Sequence, residues 1–187
     1  MTEFEKYLQK AADFHGHACV GIALGTRITL AAMHALGLEP GVKTKKLIVY
    51  TEIDRCMTDA VQAITGCSLG RRSLKYVDYG KFAATFINIE TGKALRATVK
   101  EHFGNDKPIE ETLKLLSAIP DNKLVTLQEV VVDIPAADLP GPPSKTAICA
   151  VCGERIMDGR WITDGEKTLC MACGSGGYYR EKKSVAT

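Results

Sequence analysis

A chain of 187 residues has room for one ordinary domain of roughly 140 residues and a small module beside it. Hydrophobic residues make up 45% and charged residues 25%, which excludes a low-complexity or disordered chain. The formal net charge of +2 argues against a nucleic-acid or membrane-surface partner held by electrostatics, because a phosphate footprint needs a basic face.

The N-terminal residues Met1 to Lys6 have no basic region leading into an apolar run, so no export signal is expected. No apolar stretch reaches the ~18 residues needed to span a bilayer. Seven cysteines, an odd count, then point to a reducing cytoplasm in which thiols are kept for metal or chemistry.

In chain order, Thr2-x-x-Glu5 is a capping box ahead of Phe4, Tyr7, Leu8, Ala11 and Ala12 on one helical face, with an end expected near Asp13. Residues 19–36 are apolar almost all round and close with Gly37, which predicts a buried central helix. Lys46 to Ile53 reads as a strand. Asp54 is placed to cap a helix over about 55–65, with Met57, Val61 and Ile64 inward and Gly66 ending it. Runs near 74–78, 82–90 and 94–100, parted by Gly80-Lys81 and Thr91-Gly92-Lys93, predict an antiparallel meander. Pro108 with Glu110 and Glu111 opens a helix to about Ala118, and Leu124 to Ile134 reads as a last strand or pair of short strands.

Leu139-Pro-Gly-Pro-Pro-Ser-Lys145 is stiff and rich in breakers. The expected organisation is therefore a core domain over 1–138, a linker over 139–145 and a module over 146–187. Helices in front and hairpins behind give an α+β fold, with helices packed on a mainly antiparallel sheet.

The module carries Cys149-x2-Cys152 and, seventeen residues on, Cys170-x2-Cys173. Two such turns at this separation complete a tetrahedron of sulfurs, the signature of a structural zinc site in a small zinc-ribbon or treble-clef-like fold.

A second constellation lies in Phe14-His15-Gly16-His17-Ala18-Cys19-Val20-Gly21. Residues two apart in an extended loop face the same way, so His15, His17 and Cys19 are expected to converge. Cys19 and Cys56 both sit at expected helix starts, where free N–H groups and the helix dipole favour a thiolate. Imidazole with thiolate suits a divalent transition metal such as zinc, iron or nickel. Asp59 and Gln62 share a helical face with Cys56, which makes Asp59 a candidate ligand, histidine partner or proton carrier. The solvated stripe is the plain alternative. Cys67, His34 and His102 read as structural or solvated residues. Ser68-Leu-Gly70-Arg-Arg72 resembles an anion loop only loosely, and a plain surface turn is the favoured reading.

Taken in order and spacing, Phe14-His-Gly-His-x-Cys-x-Gly21, Asp54-x-Cys-x-x-Asp-Ala-x-Gln62, Thr65-Gly-Cys-x-Leu-Gly70 and Gly80-Lys81 resemble the FmdE family of formylmethanofuran dehydrogenase proteins. One position departs from the family pattern: Val20 follows the cysteine, where Pro is common. The resemblance is good over residues ~10–100, and several family members also carry a C-terminal zinc finger. It implies an intertwined homodimer with a metal site in the core domain. It also implies association with the other components of the molybdenum or tungsten enzyme that begins carbon dioxide reduction in methanogens.

Three functional readings follow. The first is a metal-binding accessory protein of that oxidoreductase, with ligands among His15, His17, Cys19 and Cys56. The second is an interaction module, in which the zinc site and the Tyr178–Lys183 segment dock protein or nucleic acid. The third is a stand-alone enzyme with Cys56 as catalytic thiolate and Asp59 as its proton carrier.

Overall fold

The structure is a computed structural model and describes residues 1–100, 103, 108–180 and 182; His102 lies outside them. The chain divides into two compact units, Met1–Asp133 and Ile134–Thr187.

The first unit opens with α1 (Glu3–His15). Its capping box forms as expected: Glu5 N–H donates to Thr2 Oγ1 at 3.2 Å, and Thr2 N–H donates to Glu5 Oε2 at 2.8 Å. Phe4, Tyr7, Ala11 and Ala12 form the buried face. The helix runs two residues past Asp13, to His15. There Gly16, at φ 102°, makes a left-handed turn that few side chains tolerate, and its N–H closes on Ala12 O at 2.8 Å.

Next comes α2 (Val20–Ala35), capped by Cys19, so the helix begins at Val20 without the proline. Every residue from Ile22 to Met33 is buried. The helix is covered by α1, by α3 (Cys56–Thr65) and by the sheet. Its apolar girth is therefore satisfied within one chain and does not itself require a partner. The buried cation Arg27 reaches out of α2 to the chain around residues 116–121. It donates to Asp121 Oδ1 through Nε at 3.0 Å and Nη2 at 2.7 Å, and to the carbonyls of Leu116 and Ile119. Those carbonyls belong to the end of α4 (Ile109–Ala118), which starts after Pro108 as expected, so the guanidinium caps that helix.

The sheet has the order β2-β1-β3-β4-β5, with β1 Leu47–Thr51, β2 Leu74–Tyr76, β3 Ala83–Asn88, β4 Ala94–Val99 and β5 Val125–Val130. Of the predicted meander, the antiparallel pairing of β3 with β4 holds; β5, read separately as a last strand, adds antiparallel to β4. The departure is β2, which pairs parallel to β1. The reason is α3: a helix between two strands returns the chain to its starting end, so the next strand runs parallel. The 124–134 segment becomes a single strand after a short helix, α5 (Asp121–Leu124). Leu47, Val49, Ala84, Phe86, Leu95 and Ala97 point to the helices and, with α2, make the main core. On the sheet itself, Glu52 receives a two-pronged ion pair from Arg96, at 2.6 and 2.7 Å.

The second unit has two hairpins and a helix: β6 (Thr146–Ile148) with β7 (Arg155–Met157), β8 (Trp161–Asp164) with β9 (Lys167–Cys170), then α6 (Met171–Ser175). The fold is α+β with a mainly antiparallel sheet, as expected. Among the described residues, Cys149, Ile156 and Leu169 form the second unit's buried apolar cluster.

Candidate metal centres

The left-handed turn at Gly16 brings His17 back toward the helix end that carries His15, and the two rings lie 4.8 Å apart between centroids. The expected extended loop is thus replaced by a helix end and a turn, yet the convergence is the same. His15, His17 and Cys19 each offer a ligand atom, and these atoms lie within 4.8 Å of one another.

Cys56, the first residue of α3, lies outside that group of three, but its sulfur stands beside that of Cys19: a Cβ at Gly21 would lie 3.5 Å from Cys56 Sγ and 3.7 Å from Cys19 Sγ. Two glycines of α2 allow this approach. A side chain at Gly25 would put its Cβ 2.8 Å from Met57 Cα, and one at Gly21 would put it 3.0 Å from Cys56 Cβ. Gly21 therefore admits a neighbouring helix.

Asp59, one turn along α3, faces His15: its Oδ2 lies 2.7 Å from His15 Nδ1, and its Oδ1 accepts from Gln62 Nε2 at 3.3 Å. An ionised carboxylate only accepts, so Nδ1 carries the proton, and in the neutral ring Nε2 is then the nitrogen with the lone pair. This is the arrangement by which proteins orient a metal-binding imidazole.

The Cys56 thiol is pushed above its usual range, first by burial, then by Cys19 and the charge of Asp59. Two expectations at this helix start are corrected. Arg55, not Asp54, is the N-cap, with no side-chain bond, and the free backbone N–H lowers the thiol less than burial and Cys19 raise it. A cation between the two sulfurs would reverse the balance. Cys67 is buried with its thiol donating to Leu47 O at 3.6 Å, and His34 sits on the surface against Glu3 at 3.2 Å.

In the second unit, Cys149 and Cys152 flank the turn between β6 and β7, while Cys170 and Cys173 start α6. Their sulfurs lie within 4.8 Å of one another. Backbone groups already favour anionic sulfur there: Cys170 N–H donates to Cys149 Sγ and Cys173 N–H to Cys170 Sγ, both at 3.3 Å. The N–H groups of Cys152, Cys170 and Val151 pull the Cys149 thiol down to about 6. Cys173, beside Cys170 and partly desolvated, is pushed up to about 12. Each thiolate thus opposes the ionisation of its neighbours, and a cation among them would offset that repulsion.

These features define a class: an α+β domain with a Cys/His cluster that could hold a metal, joined to a four-cysteine module. The chain belongs to the FmdE family, described as "FmdE, Molybdenum formylmethanofuran dehydrogenase operon", whose profile matches residues 14–129. It is similar in structure to a tungsten formylmethanofuran dehydrogenase FmdE-like protein from Syntrophus aciditrophicus. That likeness has a TM-score of 0.63, 25% identity and 95% coverage of both chains. It is 30% identical over 205 residues to a probable S-adenosyl-L-methionine-binding protein of Archaeoglobus fulgidus, an alignment covering 95% of this chain. The chain spans about half the length of that curated relative, 55%. Among the described residues no helix is long and apolar enough to cross a membrane.

Proposed function

We propose that the first unit holds a divalent transition metal on His15, His17, Cys19 and Cys56, and that the second holds a structural zinc on Cys149, Cys152, Cys170 and Cys173. The observation that carries the core site is the Asp59–His15 contact beside the convergent donors. Two imidazoles and two thiols are a donor set suited to zinc, iron or nickel, so the residues fit the group. A bound metal would supply Lewis acidity and an open position for water or substrate if only three of the four residues ligate. Cys19 and Cys56 would give up their protons, Asp59 would hold His15 in one tautomer, and Gln62 would hold Asp59. Asp59 also stands where it can carry a proton to or from a bound group.

The protein would act in the cytoplasm as a homodimeric accessory to a molybdenum or tungsten formylmethanofuran dehydrogenase, in one-carbon metabolism. Family membership supports this reading. The edge strand β5, which exposes Leu127, leaves a surface on which a second copy can pair.

Elemental analysis of the full chain tests the metal sites. The parent should carry about two equivalents of metal, and the His17→Ala, Cys56→Ala double variant about one. Two equivalents retained in a folded double variant would remove the core site and leave this unit a scaffold. The name of the curated relative raises a second reading, binding of S-adenosyl-L-methionine, which calorimetric titration with that compound tests directly.

A further inference from the structure

Gln62, which donates to Asp59, also lines an open cavity of about 360 Å³ in the first unit. Three cationic side chains converge on it from separate parts of the chain: Lys10 from α1, Lys43 from the loop before β1, and Arg71 from the turn after α3. Among the described residues no aspartate or glutamate lines it, and none of the three cations has a carboxylate within ion-pair distance. This holds although the chain has 22 acidic residues to 24 basic ones.

The stem of Lys43 lies against Gly66, where any Cβ would come within 2.7 Å of Lys43 Cγ, so the glycine that ends α3 also makes room for the lysine. Ser68 Oγ accepts from Arg71 N–H at 3.3 Å, which leaves its own hydroxyl proton to donate into the cavity. Phe14, a residue 56% exposed, also lines the cavity.

Three cations lining one cavity with no carboxylate among its lining suit a ligand with two or more negative charges. A guanidinium fork and lysine point charges suit the oxygens of a phosphate. The volume lies at the lower end of small-molecule sites, which run from about 300 to 1,000 Å³. An exposed aromatic residue lining the cavity suits a flat, apolar portion of the same ligand.

We propose that this cavity binds a phosphorylated small molecule. Its phosphate lies on Lys10, Lys43, Arg71 and Ser68, and its remainder lies along Phe14 toward Gln62. The inference stands on the cavity and does not need the metal. With the metal in place, it gives the core site a substrate class.

The test is calorimetric titration of the full-length protein with pyrophosphate. Saturable binding is expected, weakened about tenfold in each of Lys43→Ala and Arg71→Ala, unchanged in Lys167→Ala of the second unit, and weaker as salt rises. Unchanged circular dichroism and metal content in the variants keep a failure here apart from a failure of the metal reading. Absence of saturable binding overturns the proposal. So does binding that survives loss of Lys43 and Arg71 but vanishes in Cys56→Ala, because the anion would then sit on the metal. Citrate binding more tightly than pyrophosphate through the same residues overturns the phosphate assignment.

Discussion

The 2.7 Å contact between Asp59 Oδ2 and His15 Nδ1 is the smallest feature with the largest consequence. An unheld imidazole rotates and shares its proton between two nitrogens; a carboxylate on Nδ1 fixes both the ring and the tautomer. Asp59→Asn keeps the shape and removes the charge. Its metal affinity at the core site should fall roughly 10–100-fold in a chelator competition, with stability changed by less than about 1 kcal/mol. An affinity equal to the parent's would reduce Asp59 to a surface contact. This constellation is legible in the sequence because His15, His17 and Cys19 are neighbours and Asp59 is one turn from Cys56. Arg27 is not legible: its partners lie 89 to 94 residues away, and in sequence it is one cation in an apolar helix. Arg27→Leu strands the Leu116 and Ile119 carbonyls and should cost about 3 kcal/mol, seen as a lower urea midpoint at unchanged slope. A midpoint within error of the parent's would mean that water replaces the guanidinium without loss.

At the scale of elements, the packing of α3 on α2 decides where Cys56 stands. Local signals are plain in the sequence: the capping box of α1, the end of α3 at Gly66 and the start of α4 after Pro108 depend on residues a few positions apart. The partner of β2 is not, because pairing is set by the helix between the strands and not by strand composition. The role of Gly21 and Gly25 is also hidden, since a close approach between helices leaves no mark on either sequence alone. Gly25→Ala forces a Cβ to 2.8 Å from Met57 Cα, and backbone cannot rotate away as a side-chain tip can. Overpacking of this kind should lower stability by about 1–3 kcal/mol in thermal or denaturant melts. Gly21→Ala presses instead on Cys56 Cβ at 3.0 Å, so it should cost core metal content more than stability. If Gly21→Ala binds metal like the parent, the two sulfurs do not depend on this helix contact.

At the scale of the whole molecule, the two units are held by different physics. The first has a continuous core of helices on a sheet, large enough to fold on apolar burial. The second gathers Cys149, Ile156 and Leu169 into its buried cluster, with four thiols beside each other whose simultaneous ionisation is opposed. So small a core stabilises little, and in the proposed reading a metal among the sulfurs would supply the rest of the folding free energy. Cys152→Ser removes one sulfur without touching that apolar cluster. In this variant trypsin should cut after Lys145 and degrade residues 146–187 quickly, while the first unit keeps its parental melting behaviour. The same outcome should follow chelator treatment of the parent, and added zinc should restore resistance to the parent but not to the variant. If residues 146–187 of Cys152→Ser resist trypsin as well as the parent does, protein contacts alone hold this unit and the structural-zinc reading is wrong.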